Sequence, residues 1–428
     1  MGEFELIRNF FAAAPCAQAG EGVALGIGDD CALLSVPAGE QLAISTDTLV
    51  AGVHFADPCD PFLLGQRALA VAASDLAAMG ATPLAFTLAL TLPHNDASWL
   101  QAFAHGLNLM AQHCALRLVG GDTTRGPLCL TLTVFGRVPT GQALTRGGAQ
   151  VGDLLCVGGE LGNAAGALPL VLGQRTAEPA IAEPLLEHYW SPKPQLALGQ
   201  FLRNKATSAL DISDGLLADC GHIAAASAVR LQVAHDALPL SSALRAFLGQ
   251  DGAHQAALSG GDDYVLAFTL PADEWPGLLA AHPSVRMIGQ VLAGQGVLLV
   301  DAAGRDITPG RGRPPRLGIP AFRWPSGTAR HRHAGHPSRC RSTVSRMALW
   351  LAARPICGVH RPALCRRSPS AGPTTARPAA RHGSAGDPLR LVPGRPSVLA
   401  GLRWFASSTS SWPCGGPGQQ RKWLRSEI

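Results

Sequence analysis

The charge of the chain changes sign near residue 323, and this break separates two parts that cannot fold in the same way. Residues 1–323 contain 18 Lys and Arg against 28 Asp and Glu, a net charge of −10. Residues 324–428 contain 17 against 2, a net charge of +15. The second part is rich in Arg, Pro and Ser and has little apolar periodicity. Such a segment buries too little apolar surface to offset its ordering entropy, so we predict a folded body and a disordered basic tail over 324–428.

Three interpretations of this tail remain open. It is a disordered extension, a nucleic-acid-binding arm held by phosphate contacts, or an out-of-frame translation of GC-rich DNA, which yields an excess of Arg, Pro, Ala, Gly and Ser. One detail favours the third interpretation. The codons of residues 320–324 (Pro-Ala-Phe-Arg-Trp), read one base along, can encode His-Phe followed by a small residue. We therefore do not expect nucleic acid to be a partner.

The body has the composition of a soluble cytoplasmic protein. No run approaches the ~18 uninterrupted apolar residues of a membrane span, because Arg67 and Asp75 interrupt the most apolar stretch. The 11 Cys include no C-x-x-C pair, so neither a disulfide framework nor a zinc site is indicated. The first residues carry no secretion or lipidation signal. We expect a cytoplasmic protein with no membrane partner.

Strand-like and helix-like segments alternate along the body, which indicates an α/β or α+β fold. Asp60 and Pro61 are suited to the N-cap and first position of a helix that ends near Gly80. The other predicted elements of the first half are strands over 42–50, 84–92, 116–119 and 128–138, a helix over 96–115 and a turn at 120–122. A composition shift near 146–148 predicts a domain boundary, with domains over 1–146 and 147–323. The second domain is predicted to contain strands over 154–157, 207–212, 230–234 and 264–270, a helix from Asp214 and short strands near 287 and 297.

Aspartates recur where strand-like segments end. Asp29-Asp30 follow Gly-Ile-Gly, Asp47 follows Ser45-Thr46, Asp122 follows two glycines, and Asp211 and Asp214 flank Ile-Ser. Carboxylates that converge from strand ends repel one another unless cations neutralise them. Hard oxygen ligands suit Mg²⁺, which bridges polyphosphate oxygens in phosphoryl transfer. The pattern therefore predicts a magnesium-dependent site for a polyphosphate.

Each aspartate also has a plainer interpretation. Asp29-Asp30 and Asp122 are compatible with ordinary turns, and Asp214 with a helix N-cap. Asp75 is harder to explain in this way, since Val71 and Met79 lie four residues to either side and place it on an apolar helix stripe. A buried carboxylate is seldom unpaired, which favours a ligand or an ion-pair partner.

No familiar phosphate-binding loop is present. The chain has no G-x-x-x-x-G-K-[ST], H-R-D or D-F-G motif, and Lys193 and Lys205 are the only lysines before residue 323. If ATP binds, then arginines, backbone amides and metal must neutralise its phosphates. Arg146, beside two glycines, is the best candidate, and an ordinary surface arginine is the alternative.

Taken together, these segments resemble the thiamine-monophosphate kinases, within the aminoimidazole ribonucleotide synthetase-like superfamily. The similarity runs from residue 2 to about 318. It rests on GIGDDCALL (26–34), ISTDTLVAGVHF (44–55), SDLAAMGA (74–81), GGDTTRG (120–126), LTR (144–146), DISDGL (211–216) and SGGDDY (259–264). The Ser-Thr-Asp-Thr-Leu-Val-x-Gly-x-His-Phe run distinguishes this family from its relatives.

The resemblance implies ATP-dependent phosphorylation of thiamine monophosphate to thiamine diphosphate by a homodimer. It implies an N-terminal α/β domain that binds ATP and Mg²⁺ and a C-terminal α/β domain, both of the aminoimidazole ribonucleotide synthetase-like type. The implied magnesium ligands are Asp30, Ser45, Thr46, Asp47, Asp75, Asp122, Asp211 and Asp214. The implied ATP contacts are Gly121, Asp122, Arg146 and Ser213. His54 and Asp262 would contact thiamine monophosphate, and at Asp262 the family often has Glu. Transfer in the family is direct, so no catalytic nucleophile is expected.

The C-terminal end departs from the family. The usual Gly-aromatic-x-His-Phe ending is replaced by residues 318–322, Gly-Ile-Pro-Ala-Phe, which suggests a frame change near residue 318. Two other functions remain open at this point. One is a superfamily member that uses ATP with a different small acceptor, and the other is a nucleic-acid-binding protein acting through the tail.

Overall fold

A computed structural model of the chain describes residues 3–18 and 20–309. The predicted basic tail and the altered ending at 318–322 lie outside the described residues. The described strands are β1 Val23–Leu25, β2 Leu33–Leu34, β3 Glu40–Val50, β4 Thr82–Leu92, β5 Arg117–Arg125, β6 Cys129–Pro139, β7 Leu154–Val157, β8 Ser208–Asp211, β9 Arg230–Ala234, β10 Leu266–Leu270, β11 Arg286–Leu292 and β12 Gly296–Val300.

The helices alternate with these strands. They are α1 Glu3–Leu6, α2 Pro61–Ala78, α3 Ala97–His113, α4 Asn163–Val171, α5 Pro179–Trp190, α6 Leu196–Leu202, α7 Leu216–Ser227, α8 Ser242–Ser259 and α9 Trp275–Ala281. A π-helical segment, Ile7–Ala12, continues α1. None of the described helices combines the length and the apolar character that a membrane crossing requires.

The first large sheet has four strands in the order β3-β6-β4-β5, and only its β4–β5 pair is parallel. Helix α2 packs against β3 and β6, and α3 packs against α2. The side chains of β3 alternate accordingly: Leu42, Ile44, Thr46 and Thr48 are exposed, whereas Ser45 and Asp47 are half-buried. The helices thus cover one face of the sheet, and β3 presents residues of opposite character to the two faces.

The helix predicted from Asp60 and Pro61 is confirmed. Asp60 is the N-cap of α2 and its carboxylate accepts the N–H of Phe62 at 2.8 Å, while Pro61 occupies the first helical position. Two glycines, Gly65 on α2 and Gly106 on α3, lie where the two helices cross, and neither places a side chain between them. A Cβ at Gly106 would overlap the carbonyl of Phe62, and one at Gly65 would overlap the carbonyl of Phe103. The two helices therefore approach more closely than any larger residue would allow.

The turn predicted at 120–122 is wrong, because β5 continues through it. Gly120, Gly121 and Asp122 pair with Thr87, Leu88 and Ala89 of β4 in parallel register. Gly121 has φ +152°, and a Cβ at this position would overlap the carbonyl oxygen of Leu88. The glycine permits the close strand approach instead of ending the strand.

The second large sheet has six strands in the order β12-β9-β11-β7-β10-β8, and only its β12–β9 pair is parallel. The predicted bounds of β7 and β9 agree with the structure, β8 is shorter than predicted, and α7 begins at Leu216 rather than Asp214. Central residues such as Leu155, Leu231 and Phe268 are fully buried. The predicted α/β class is confirmed, whereas the boundary at 146/147 falls between β6 and β7 and stays a prediction.

Candidate active site

An acidic cluster forms where β3, α2 and β8 meet. The hydroxyl of Ser45 on β3 donates to Oδ2 of Asp75 on α2 at 2.5 Å. The neighbouring hydroxyl of Ser74 donates to Oδ2 of Asp211, the last residue of β8, at 2.7 Å. Adjacent residues of one helix therefore join both sheets at this point.

The electrostatics of the cluster show that its carboxylates repel one another. Burial, and after it the charge of Asp75, raises the pKa of Asp47 to about 6 and that of Asp211 to about 6. Within the described part of the chain, no Lys or Arg forms an ion pair with Asp47, Asp75 or Asp211. Three oxygen-rich side chains without a cationic partner form a donor set that suits a hard divalent cation.

A fourth carboxylate, that of Asp219, shapes the loop after β8. Its Oδ2 accepts the backbone N–H groups of Ser213, Asp214 and Gly215 at 3.1, 3.0 and 3.1 Å. The N-cap of α7 is Gly215, so the N-cap interpretation of Asp214 is wrong. The side chains of Ser213 and Asp214 are consequently left exposed on a loop whose backbone is fixed.

The structure does not bring all predicted metal ligands together. The side chain of Thr46 faces the opposite side of the sheet, where its hydroxyl lies 2.9 Å from that of Thr133. Only the backbone of Thr46 can therefore contribute a ligand to the cluster. Asp30 is exposed in a turn in which its N–H donates to Oδ1 of Asp29 at 2.9 Å. Asp122 is exposed on β5. Among the described residues, no hydrogen bond or ion pair joins Asp30, Asp122 or Asp214 to Asp47, Asp75 or Asp211.

The predicted ATP contacts lie on three segments, and Ser213 is on the loop after β8 described above. Gly121 and Asp122 line a small cleft whose other walls are mainly apolar, including Ile7, Phe11 and Ile27. Arg146 is exposed, and its carbonyl accepts the hydroxyl of Ser227 at 3.2 Å, which anchors the backbone and leaves the guanidinium outside the core.

Both predicted substrate residues line one cavity of about 240 Å³. His54 Nδ1 accepts the N–H of Val50 at 3.0 Å, so the neutral ring carries its hydrogen on Nε2. Asp47 also lines this cavity and thereby connects it to the acidic cluster. The full lining is Asp47, Thr48, Leu49, Val53, His54, Arg67, Val71, Leu168, Tyr189, Asp262 and Tyr264.

Sequence reasoning missed three polar residues of this cavity: Arg67, Tyr189 and Tyr264. Arg67 forms an ion pair with Asp262 at 3.0 Å, and the hydroxyl of Tyr264 donates to the other oxygen of Asp262 at 2.9 Å. Arg67 also stacks over the ring of Tyr189, 4.0 Å from its centroid. The sequence did contain a signal for Arg67. It lies four residues before Val71, on the same apolar stripe of the helix that made Asp75 a candidate.

A second group of potential ligands, His235, Asp236 and His254, lies outside this site. The two imidazole rings stack with centroids 3.8 Å apart and an interplanar angle of 16°. A metal ion binds imidazole nitrogen close to the ring plane, and two nearly parallel stacked planes do not converge on one point. The described arrangement is therefore a histidine stack and does not form a metal site.

The raised carboxyl pKa values predict an unusual pH dependence of stability. Burial is the first cause of the rise to about 6 for Asp47, Asp211 and Asp219, and to about 8 for Asp263, whose carboxylate accepts the N–H of Gly162. A carboxyl with a higher pKa in the folded than in the unfolded protein binds more protons when folded, so stability falls as pH rises through that window. Without divalent cations, we expect the free energy of unfolding to fall by at least ~2 kcal/mol between pH 5 and 8.

Urea unfolding in EDTA at a series of pH values measures this slope. A free energy of unfolding that rises over the same range would contradict the raised pKa values of these carboxyl groups in the folded protein.

Comparison with known proteins gives consistent matches. Residues 28–138 match the profile of the family "AIR synthase related protein, N-terminal domain". The thiamine-monophosphate kinase of Escherichia coli (strain K12) is 47% identical over 271 residues, which span 63% of this chain and 83% of that protein. The crystal structure of the thiamine-monophosphate kinase from Stenotrophomonas maltophilia K279a matches with 46% identity and a TM-score of 0.65, covering 70% of this chain and 96% of that chain. A structure described as AaThiL complexed with AMPPCP and TMP matches with 30% identity and a TM-score of 0.59, covering 66% and 90%.

Proposed function

Because this chain belongs to the thiamine-monophosphate kinase family, it is a phosphotransferase that acts on thiamine monophosphate with ATP, and we propose that the transfer is direct and in line and is supported by several Mg²⁺ ions. In this reaction an oxygen of the acceptor phosphate attacks the γ-phosphorus, the bond from the γ-phosphorus to the bridging oxygen breaks, and ADP leaves.

One observation carries the proposal: Asp47 belongs both to the acidic cluster and to the lining of the cavity. Through Asp47 the cavity adjoins the oxygen-rich cluster, and its lining also contains His54 and Asp262. An acceptor with a phosphate at one end and an organic ring system at the other matches this combination. Its phosphate would lie toward Asp47 and its rings toward His54 and Asp262.

The residues at the cluster fit Mg²⁺. Ser45, Asp47, Asp75 and Asp211 would hold it there, with Asp30, Asp122, Asp214 and the backbone of Thr46 as further candidate ligands. Bound Mg²⁺ would neutralise phosphate charge and align the reacting groups. The raised pKa values of Asp47 and Asp211 support this role, because a dication relieves the repulsion that causes part of the shift.

The remaining residues bind and orient the two substrates. Gly121 offers its backbone and an apolar cleft to the nucleotide, Ser213 offers its exposed hydroxyl, and Arg146 offers a positive charge to the phosphates. His54 can donate from Nε2 and Asp262 can accept, so together they complement an amino-substituted heteroaromatic ring.

A covalent enzyme intermediate is not needed. Burial raises the pKa of Cys59, Cys114, Cys156 and Cys220 to about 12 and that of Cys16 to about 11, so these thiols stay protonated and are poor nucleophiles. This supports direct transfer between the two substrates.

The proposal is tested by measuring thiamine diphosphate formation. With ATP and Mg²⁺, we expect thiamine monophosphate to be converted and unphosphorylated thiamine to react at less than ~1% of that rate, because it has no phosphate oxygen to attack. EDTA should stop the reaction, and Mg²⁺ should restore it. Equal turnover of thiamine would contradict the mechanism. Faster ADP release with another small acceptor would favour the alternative member of the superfamily.

We also propose a homodimer formed through the exposed part of the first sheet, on the face opposite α2. Leu42 and Ile44 on β3 are 41% and 59% exposed there, next to the Thr46–Thr133 and Thr48–Thr131 hydroxyl pairs. A face that combines exposed aliphatic residues with paired hydroxyl groups suits a second copy of the same sheet.

Replacing Ile44 with Glu is expected to shift this dimer toward monomer, since a carboxylate would be desolvated in the interface. Light scattering of the wild type and of Ile44→Glu measures the mass. Met287→Glu is the matched control, because Met287 is 47% exposed on β11 of the other sheet. A wild-type monomer, or the same mass for wild type and Ile44→Glu, would contradict the proposed interface.

A further inference from the structure

Arg67 is a charged residue placed deep in an apolar helix. It is 1% exposed, and α2 surrounds it with Leu64, Ala68 and Val71. Removing a guanidinium from water is costly unless strong partners compensate. Its partners are the carboxylate of Asp262 at 3.0 Å, the carbonyl of Tyr189 at 2.5 Å and the face of the Tyr189 ring. Its Nε has no hydrogen-bond partner among the described residues.

The partner carboxylate, in contrast, is accessible. The side chain of Asp262 is 40% exposed and lines the cavity. Each of its oxygens has one protein partner: Oδ2 forms the ion pair with Arg67, and Oδ1 accepts a hydrogen bond from the hydroxyl of Tyr264. A carboxylate has about four lone-pair positions, so two remain for a ligand.

The backbone around Asp262 is fixed as firmly as its side chain. Asp262 has φ +61°, an uncommon conformation for a residue with a Cβ, and its N–H donates to the carbonyl of Ser213 at 2.9 Å. Burial, and after it the Asp262 charge, raises the pKa of Tyr264, so the phenol keeps the proton that it donates. The orientation of the carboxylate is therefore determined by buried groups that themselves have little freedom.

We propose that Arg67 is a positioning residue that holds Asp262 in its binding orientation and thereby sets the affinity for the ring end of the acceptor. This inference rests on the proposed function, because it requires thiamine monophosphate to be the acceptor. Arg67 pairs with Asp262, and no ion pair joins it to the acidic cluster in the described residues. Its loss therefore weakens acceptor binding and leaves the chemical step and the nucleotide site largely unchanged.

The test measures kcat, KM for thiamine monophosphate and KM for ATP, together with the Kd of thiamine monophosphate by calorimetry, on the full chain with Mg²⁺. Arg67→Met should raise KM and Kd for thiamine monophosphate by about 10- to 100-fold, the effect of losing a charged hydrogen-bond partner. We expect kcat and KM for ATP to change by less than about threefold. Tyr264→Phe, which removes only the second support, should raise the same two constants by about 3- to 10-fold.

A reciprocal pair of substitutions separates positioning from simple stabilisation. Arg67→Lys shortens the cation, and Asp262→Glu lengthens the acid by one methylene. We expect Arg67→Lys alone to raise KM for thiamine monophosphate, and Arg67→Lys combined with Asp262→Glu to recover most of the loss. Arg203→Met is the control for losing a partly buried arginine, since Arg203 binds Gly80 and Thr82 outside the cavity and should leave all kinetic constants unchanged.

Two kinds of failure are distinguishable. If the wild type forms no thiamine diphosphate, the proposed function is wrong. If the wild type is active but Arg67→Met leaves KM and Kd for thiamine monophosphate unchanged, or lowers kcat alone, the positioning role is overturned. Should Arg67→Met fail to fold, Arg67→Lys and Tyr264→Phe decide in its place, and unchanged acceptor affinity in both refutes the proposal.

Discussion

Replacing Asp75 with Asn is expected to lower kcat/KM by at least ~1,000-fold while the protein stays folded, because in the proposed mechanism the change removes an anionic Mg²⁺ ligand and keeps the shape of the side chain. Asp211→Asn should have a similar effect. Ser45 can still donate to the amide oxygen of residue 75, so its 2.5 Å contact does not require the carboxylate. Circular dichroism and thermal unfolding in EDTA should show a melting temperature equal to or above that of the wild type, because carboxylate repulsion is relieved.

The same substitution has a local electrostatic signature. The charge of Asp75 contributes to the raised pKa of both Asp47 and Asp211. NMR titration of the carboxyl carbons should therefore show both pKa values falling in Asp75→Asn, whereas the exposed surface change Asp273→Asn should leave them unchanged. Near-normal activity of Asp75→Asn at saturating Mg²⁺ would mean that Asp75 has a structural role only.

The second large effect is expected at the crossing of α2 and α3. Gly106→Ala should destabilise the protein by at least ~2 kcal/mol, because the added Cβ overlaps the carbonyl of Phe62. This carbonyl belongs to the backbone of α2 and cannot rotate out of the contact as a side chain could. Because α2 carries Asp75 and Arg67, we expect activity to fall with stability. Denaturant unfolding and initial rates measure the two effects.

A matched glycine provides the control. Gly221 lies within α7, and a Cβ there meets no atom within 4 Å. Gly221→Ala should therefore show only the gain in helix propensity, up to ~1 kcal/mol. Equal effects at the two positions would show that propensity, and not the helix crossing, determines the outcome at Gly106.

Local signals in the sequence predicted the elements that depend on local physics. The N-cap at Asp60, the proline after it and the 3.6-residue spacing of apolar residues were sufficient for α2. Short apolar runs bounded by turn residues were sufficient for β7 and β9. The stripe argument placed Asp75 off the solvated face, and the structure makes it half-buried with a hydrogen bond from Ser45. The predicted ion-pair partner is not found among the described residues, and the predicted metal-ligand role stays a prediction.

The errors arose where distant segments determine the outcome. The continuation of β5 through Gly120 and Gly121 depends on pairing with β4, about thirty residues earlier in the chain, and two glycines in a row offer no local sign of it. The error at Asp214 is local instead: Asp219, five residues later, accepts the backbone amides, and the residue types alone do not show which of the two carboxylates does so. Arg67 was noted only as an interruption of an apolar stretch, since its partner Asp262 lies on another element. The predictions for residues 318–428 concern residues outside the described part of the chain, so the structure does not test them.

Helix α2 also fixes the spacing between two groups of the candidate site. Arg67 and Asp75 are eight residues apart on it, which corresponds to about 12 Å along the axis at 1.5 Å per residue. Arg67 pairs with Asp262 in the cavity lining, and Asp75 belongs to the acidic cluster that adjoins the cavity through Asp47. A single rigid helix therefore sets the distance between the group that orients Asp262 and the group that would hold Mg²⁺. In the proposed function, this distance gives the protein a preference for acceptor length that does not depend on the chemical identity of the acceptor's end groups.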